Sequence, residues 1–295
     1  MTITIAHLGP PGTYAEQAAL LYFNWLTASS GIDEAMLCPY PSIAQTLRAV
    51  VKGQAKLAVV PVENSIEGSV TMTLDTLWQL ESLQVQLALV MPIIHTLISC
   101  AQRIEDIKTI YSHPQALAQC QGWLERFLPN AQLIASNSTT EALLHLEQDL
   151  SAAAISSQRA AQLYNLPILA TGINDYPGNC TRFWVVSQDD IPGTRPNYQK
   201  TASHTSLAFS TPANTPGALA KPLEVFARLN INLSKIESRP TKRSLGEYLF
   251  FIDAEADASD PQMKAALSEI KPYTEVLKIF GSYNVLPIQS LGMSG

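Results

Sequence analysis

The segment Asn179-Cys180-Thr181-Arg182-Phe183, followed by Trp184-Val185-Val186, sets polar donors at the mouth of a run that otherwise reads as a buried β-strand. Arg182 offers a planar fork that fits a carboxylate, Thr181 a hydroxyl and Asn179 an amide. The chemistry implied is capture of a small organic acid. The competing reading pairs Arg182 with a carboxylate of the protein and leaves Thr181 bonded to its own strand. A second cluster, Val60-Pro-Val-Glu63-Asn64-Ser-Ile-Glu67-Gly-Ser69, follows another apolar run, at the strand end where open α/β sheets bind ligands. Asn64 reads as a ligand contact and Glu67 as loop support, while Glu63 fits either acid–base work or a loop tie. In Ser112-His113-Pro114-Gln115, which leads to Gln119, His113 reads as a hydrogen-bonded loop residue rather than a catalyst. Gly9-Pro-Pro-Gly-Thr13 allows close backbone approach to a ligand or forms a rigid turn capped by Thr13. Ser65 lacks a GxSxG elbow and no acid is spaced for a triad, which disfavours a hydrolase.

The elements that must hold these groups alternate short apolar runs with amphipathic stretches from Ile3 to Val186, the pattern of an α/β fold with a mostly parallel sheet. Strands are expected at residues 3–8, 55–60, 85–90, 109–111, 132–135, 152–155 and 181–186. Thr13 with Glu16, Ser42 with Gln45 and Ser138 with Glu141 each fit a capping box at a helix start. Residues 188–202 read as a linker. Beyond it the pattern is β-α-β-β-α-β, a ferredoxin-like unit. Its first helix is expected from Pro216 to about Arg228, with Pro222 kinking it. Gly217-Ala218-Leu219 and Glu237-Ser238-Arg239-Pro240 suit packing and turns, and together a small amino-acid pocket.

Composition narrows the class. Of 295 residues 46% are hydrophobic and 15% charged, enough for a well-buried core in about two domains and against disorder. A net charge of −6 without a Lys/Arg stripe disfavours nucleic acid, and no nucleic-acid partner is expected. Cys38, Cys100, Cys120 and Cys180 show no CxxC spacing, so neither a metal site nor a disulfide framework is expected, and reduced thiols fit. No run reaches the roughly 20 apolar residues of a membrane span, and the start lacks a signal peptide, so a cytoplasmic protein without membrane partners is expected.

Taken in order, Gly9-Pro-Pro-Gly-Thr-Tyr14, Pro61-Val-Glu-Asn-Ser65, Ser112-His-Pro-Gln115, Asn179-Cys-Thr-Arg-Phe183 and Glu237-Ser-Arg-Pro240 closely resemble prephenate dehydratases over nearly the whole chain. The resemblance implies a carbon–oxygen lyase in phenylalanine biosynthesis that turns prephenate into phenylpyruvate with no cofactor. It further implies two α/β lobes similar to type II periplasmic binding proteins, an ACT domain of ferredoxin-like βαββαβ form regulated by L-phenylalanine, and a homodimer or homotetramer. The boundaries then expected are 1–187 for the catalytic part, with lobes at about 1–80 plus 172–187 and 81–171. The linker at 188–202 and the ACT domain at 203–285 precede a tail at 286–295. Carried onto matching positions, Asn64, Ser112, Gln119, Thr181 and Arg182 line the substrate cleft, with Thr13 and Phe183 nearby. Gly217, Ala218, Leu219, Asn232, Glu237, Ser238 and Arg239 shape the effector site. On this reading Arg182 binds a substrate carboxylate, Thr181 donates to the leaving hydroxyl, and Glu63 is a possible acid or base. With no helical mutase pattern before Ile3, the monofunctional form is expected. The rivals are an arogenate dehydratase, and a non-catalytic sensor of amino or organic acids.

Overall fold

The computed structural model describes residues 2–29, 34–146, 149–195 and 201–291. The chain opens with β1 (Thr2–Leu8), α1 (Tyr14–Ser29), β2 (Glu34–Tyr40), α2 (Ile43–Val51), β3 (Leu57–Asn64), the short β4 (Gly68–Ser69), α3 (Thr71–Gln79) and β5 (Gln84–Pro92). It crosses to a second sheet with β6 (His95–Ser99), β7 (Thr109–Ser112), α4 (Pro114–Ala118), α5 (Gln121–Phe127), β8 (Gln132–Ala135), β9 (Ala152–Ser157), α6 (Gln158–Leu163) and β10 (Ile168–Thr171). It returns as β11 (Cys180–Ser187). The C-terminal unit follows as β12 (His204–Ser210), α7 (Ala220–Arg228), β13 (Leu233–Pro240), β14 (Tyr248–Ala254), α8 (Pro261–Ile270) and β15 (Val276–Tyr283), and β16 (Val285–Pro287) ends the strand set.

Three sheets result. The first has the order β16-β5-β11-β3-β1-β2 with β4 on β3, the second β10-β6-β9-β7-β8, and the third β13-β14-β12-β15, the order of a ferredoxin-like unit. The first two are mixed rather than mostly parallel. β11 arrives from the second lobe and runs against both neighbours, β3 and β5, while β1 pairs parallel with β2 and β3. In the second sheet β7 is parallel to β8 and β9, whereas β6 opposes β9 and β10. Two lobes therefore meet at two chain crossings, 93–94 and 172–179.

Alternation along β11 decides what each face of the first sheet touches. Phe183 and Val185 join the core under α1, with Tyr22, Leu26 and Leu89. Trp184 and Val186 face the other way, into a core shared with Ala208, Leu249, Phe251, Phe280 and Tyr283 of the C-terminal unit. The third sheet thus covers its opposite face with α7 and α8 and presents this one to the first lobe. Contact is close at Gly281, whose φ is +132° and where an added Cβ would lie 2.7 Å from the Val85 carbonyl oxygen.

Several boundaries differ from expectation. Residues 84–92 pair with β11 and belong to the first lobe, not the second, because β5 completes the sheet before the chain crosses. The expected linker is packed over its first part: Tyr22 donates to the Thr194 carbonyl at 2.8 Å and Arg195 donates to Gln86. Residues 196–200 lie outside the described residues. The expected tail begins with β16, parallel to β5, and Ile288 and Leu291 enter the core under α1; residues 292–295 are outside the described set. α7 begins at Ala220 rather than Pro216, which puts Pro222 in its first turn, where the missing N–H has no helical partner to lose and no kink is required. Ser138 accepts from Glu141 N at 3.0 Å, as a cap should, yet opens a 3-10 turn (Glu141–His145) instead of an α-helix. No helix among the described residues is long and apolar enough to cross a membrane.

Candidate active site

A cavity of about 910 Å³ lies between the two lobes. The first lobe contributes Pro10, Thr13, Tyr14, Asn64, Thr181 and Phe183 to its wall, the second His95, His113, Gln115 and Gln119. The Gly9–Thr13 turn closes one side: its Gly9–Pro10 bond is cis, and Gly12, at φ +87°, accepts from the Ser157 hydroxyl of the other lobe at 2.8 Å. A Cβ on Gly12 would press on Ala160 and Thr140 at 3.3 Å, so glycine there permits the lobes to touch. Thr13 caps α1, accepting from Glu16 N at 3.3 Å and donating to the Pro10 carbonyl at 2.9 Å.

Thr181 and Asn64 are register partners at the ends of β11 and β3, and so are Arg182 and Glu63. The ladder shifts between Arg182 and Phe183, which face Glu63 and Pro61, leaving Val62 as the extra residue. This bulge swaps the faces. In a regular strand Glu63 would share the cleft face with Pro61; after the bulge Asn64 takes it, and Glu63 turns to the side of the C-terminal unit. The Asn64 amide is then fixed from both ends. Its Oδ1 accepts from Ile66 N at 3.0 Å and Glu67 N at 3.1 Å, so Nδ2 must donate, to Asn179 Oδ1 at 2.8 Å and Thr181 Oγ1 at 2.9 Å. With its oxygen held as an acceptor, the Thr181 hydroxyl keeps its own proton for a group in the cleft.

The network continues into the second lobe. Asn179 Nδ2 donates to Gln119 Oε1 at 2.8 Å, and Gln119 Nε2 donates to Glu67 Oε1 at 3.1 Å. Gln119 Oε1 therefore also accepts from His95 Nε2, 2.9 Å away, which assigns a proton to that nitrogen; Nδ1 lies 2.9 Å from the Tyr14 hydroxyl, which also donates to the Ile94 carbonyl at 2.9 Å. Burial pushes the His95 imidazole below the ordinary histidine range, against the Gln119 bond that favours its charged form. Burial likewise raises the Tyr14 phenol far above its usual value. His95 is thus a neutral imidazole at neutral pH, donating to Gln119.

Of the residues expected at the substrate, Thr13, Asn64, Gln119, Thr181 and Phe183 line the cavity. Arg182 does not. It sits one residue out of phase with Thr181, on the face of Trp184 and Val186, ion-paired with Glu63 and, at 3.0 Å, with Asp253 of β14. Glu63 is occupied by the same pair, so neither meets a ligand in the cleft. Ser112 is also withdrawn: fully buried, it donates to the Ile155 carbonyl at 2.6 Å and ties β7 to β9. No lysine or arginine lines the cavity among the described residues. An anion there meets hydroxyls, amides, the imidazoles of His95 and His113 and the N-terminal ends of α1 and α3 instead, with the carboxylates of Glu67 and Glu141 on the same wall. Glu67, expected to support its loop, does line the cavity, and His95 and Tyr14 were not singled out from sequence. The signal for His95 was a titratable side chain inside the mostly apolar run Ile93-Ile94-His95-Thr96-Leu97.

The expected effector residues divide the same way. Ser238 pairs with Phe250 and so points to the helix-covered face, the side on which α7 packs after Gly217, Ala218 and Leu219. Glu237 and Arg239 pair with Phe251 and Leu249, whose side chains face the first lobe. Accordingly Glu237 accepts from Ser69 at 3.2 Å, and Arg239 holds Asp75 of α3 with two bonds of 3.1 Å. Asn232 lies just before β13, its carbonyl accepting from Glu255 N at 2.9 Å.

Residues 5–191 match the family model of prephenate dehydratase and residues 205–272 that of the ACT domain. A bifunctional chorismate mutase/prephenate dehydratase of Aquifex aeolicus is 40% identical over 281 residues, 95% of this chain and 73% of that protein. Among solved structures, the prephenate dehydratase of Arthrobacter aurescens in complex with L-Phe is 35% identical with a TM-score of 0.82, covering 96% of this chain and 90% of that one. GqqA, described as a quorum quenching acylase, is 26% identical with a TM-score of 0.80, covering 98% and 100%. With the motifs, the interlobe cleft and the C-terminal unit in agreement with these matches, the chain belongs to the prephenate dehydratase family.

Proposed function

We infer that the chain is a prephenate dehydratase acting in the cleft between its lobes, with Thr181 at the bond that breaks. The observation that carries this reading is the Thr181 hydroxyl, 8% exposed at the cavity wall and fixed by Asn64 with its proton free. In the reaction the ring carboxylate leaves as CO2, its bonding electrons enter the ring, and the ring C–OH bond breaks as the ring becomes aromatic. The departing hydroxide takes one proton to become water, and the second carboxylate remains on phenylpyruvate. What the protein must supply is orientation and a donor to the departing oxygen. Thr181 is that donor. A threonine hydroxyl is a weak acid, so it stabilises the developing charge and relays a proton from solvent. The two substrate carboxylates are held by neutral donors and helix ends, not by a cation.

L-phenylalanine, bound by the Arthrobacter relative, is the effector expected at the ACT domain, acting in a homodimer or homotetramer in the cytoplasm. An acylase reading gains no support from the cleft. Among the described residues no serine or threonine lining it is hydrogen-bonded to a histidine, the pairing a hydroxyl nucleophile needs. Kinetics with prephenate and arogenate side by side, with an acyl-amide hydrolysis assay in parallel, test the function. Turnover of prephenate is expected; turnover of arogenate alone moves the assignment to the rival dehydratase, and ligand binding without any turnover moves it to a sensor.

A further inference from the structure

Opposite the reacting pair, through the thickness of the sheet, lies a buried charge cluster that the reaction itself does not use. Thr181 and Asn64 face the cleft; their immediate neighbours Arg182 and Glu63 face the ACT sheet and pair with each other. Arg182 Nη2 also lies 3.0 Å from Asp253 Oδ2. Asp253 is 3% exposed and is oriented by the Ser206 hydroxyl, which is 2.5 Å from the Tyr283 hydroxyl. Lys235, the register partner of Asp253 on β13, brings a buried ammonium into the same space. Two residues further along β13, Glu237 reaches Ser69 on the cleft rim.

Charges this deep contribute little net stability, because desolvation offsets their attraction; what they fix is geometry, since removing one partner strands the other. Here the geometry in question is the relative setting of β11 and β3. Arg182 is covalently next to Thr181, Glu63 next to Asn64, and the 2.9 Å bond that frees the Thr181 proton spans the same two strands. We propose that Arg182 is a positioning residue: Asp253 of the ACT domain holds it, and the Asp253–Arg182–Glu63 cluster sets the strand alignment that aims the Thr181 hydroxyl. Movement of β14 against the first lobe then changes turnover without any group of the ACT domain entering the cleft. This rests on the dehydratase reading of the cleft.

The test compares Asp253→Asn, Ser206→Ala, Arg182→Lys and Arg182→Met with the parent protein, reading kcat and KM for prephenate, the melting temperature and L-phenylalanine inhibition. Asp253→Asn is expected to lower kcat tenfold or more with KM within twofold, and to weaken the response to L-phenylalanine. Arg182→Lys, which keeps the charge, should recover part of what Arg182→Met loses. Ser206→Ala, which removes only the hydroxyl that orients Asp253, should show the same split at about threefold, and it decides the matter if Asp253→Asn does not fold. A purely structural cluster would lower the melting temperature and leave kcat of the folded enzyme within twofold, which overturns the proposal. So does a rise in KM at constant kcat, which would return Arg182 to the substrate. If the parent protein turns over no prephenate, the dehydratase reading falls and this inference with it.

Discussion

Replacing Thr181 by valine keeps the branched shape and removes the hydroxyl alone, and the structure separates the two costs. Thr181 Oγ1 accepts one bond, from Asn64 Nδ2 at 2.9 Å, and that amide retains Asn179 Oδ1 and the Cys180 carbonyl as partners. Losing one neutral hydrogen bond costs about 1 kcal/mol, which in a chain of this size lowers Tm by roughly 2–4 °C. The catalytic cost is larger. A fixed donor aimed at a developing oxyanion is worth about 2.7–4 kcal/mol, a fall in kcat of roughly 10²–10³-fold. Thr181→Ser retains the donor and loses only the methyl that restricts its rotamer, so its kcat should stay within roughly tenfold. Phenylpyruvate formation at saturating prephenate, measured with Tm on the same preparations, reads both quantities. A valine enzyme whose kcat lies within about fivefold of the parent would refute the assignment of Thr181 to the transition state.

Other outcomes follow from burial and close approach. Because burial holds His95 below the ordinary histidine range, as it does His7 and His204, the unfolded chain binds more protons than the folded one below about pH 6.5. Stability is therefore full above that pH and is lost as pH falls toward the folded values; urea midpoints should drop between pH 7 and 5, and His95→Gln should flatten the slope, an unchanged slope counting against a neutral His95. Gly281→Ala places a Cβ 2.7 Å from the Val85 carbonyl at φ +132° and should cost more than about 2 kcal/mol, read by calorimetry as a lower Tm; an unchanged Tm would mean that β15 does not rest on β5 as described. Burial, with Asp175 nearby, pushes the Cys120 thiol up to about 12. Iodoacetamide at pH 8 should modify the half-buried Cys38, Cys100 and Cys180 before it, as peptide mass spectrometry would show, and early labelling of Cys120 would contradict its burial.

The ferredoxin-like unit was legible because its helix and strand periods are long and its turns carry proline and glycine. The lobes were less so. β2 hides a proline, Pro39, in an edge strand, and β6 follows Pro92 so closely that its apolar run merges with β5. The chemistry of Asn179-Cys-Thr-Arg-Phe183 could be read from residue types, but not which side chain meets substrate. A strand's period of two states only that Thr181 and Arg182 oppose each other; which face is the cleft depends on Trp184 and Val186 packing against a domain that begins after the strand has ended. On β3 even the period fails, because the bulge at Val62 exchanges the roles of Glu63 and Asn64 without any glycine to mark it. Local donors implied an acid as ligand, and non-local packing assigned them their faces. The guanidinium that best matches a carboxylate in isolation has two carboxylates already, one from the neighbouring strand and one from the ACT sheet. The hydroxyl left free of charge partners is the group the cleft exposes. If Thr181 is the catalytic donor proposed above, an arginine one residue away on the opposite face is better placed to aim it than to share its substrate.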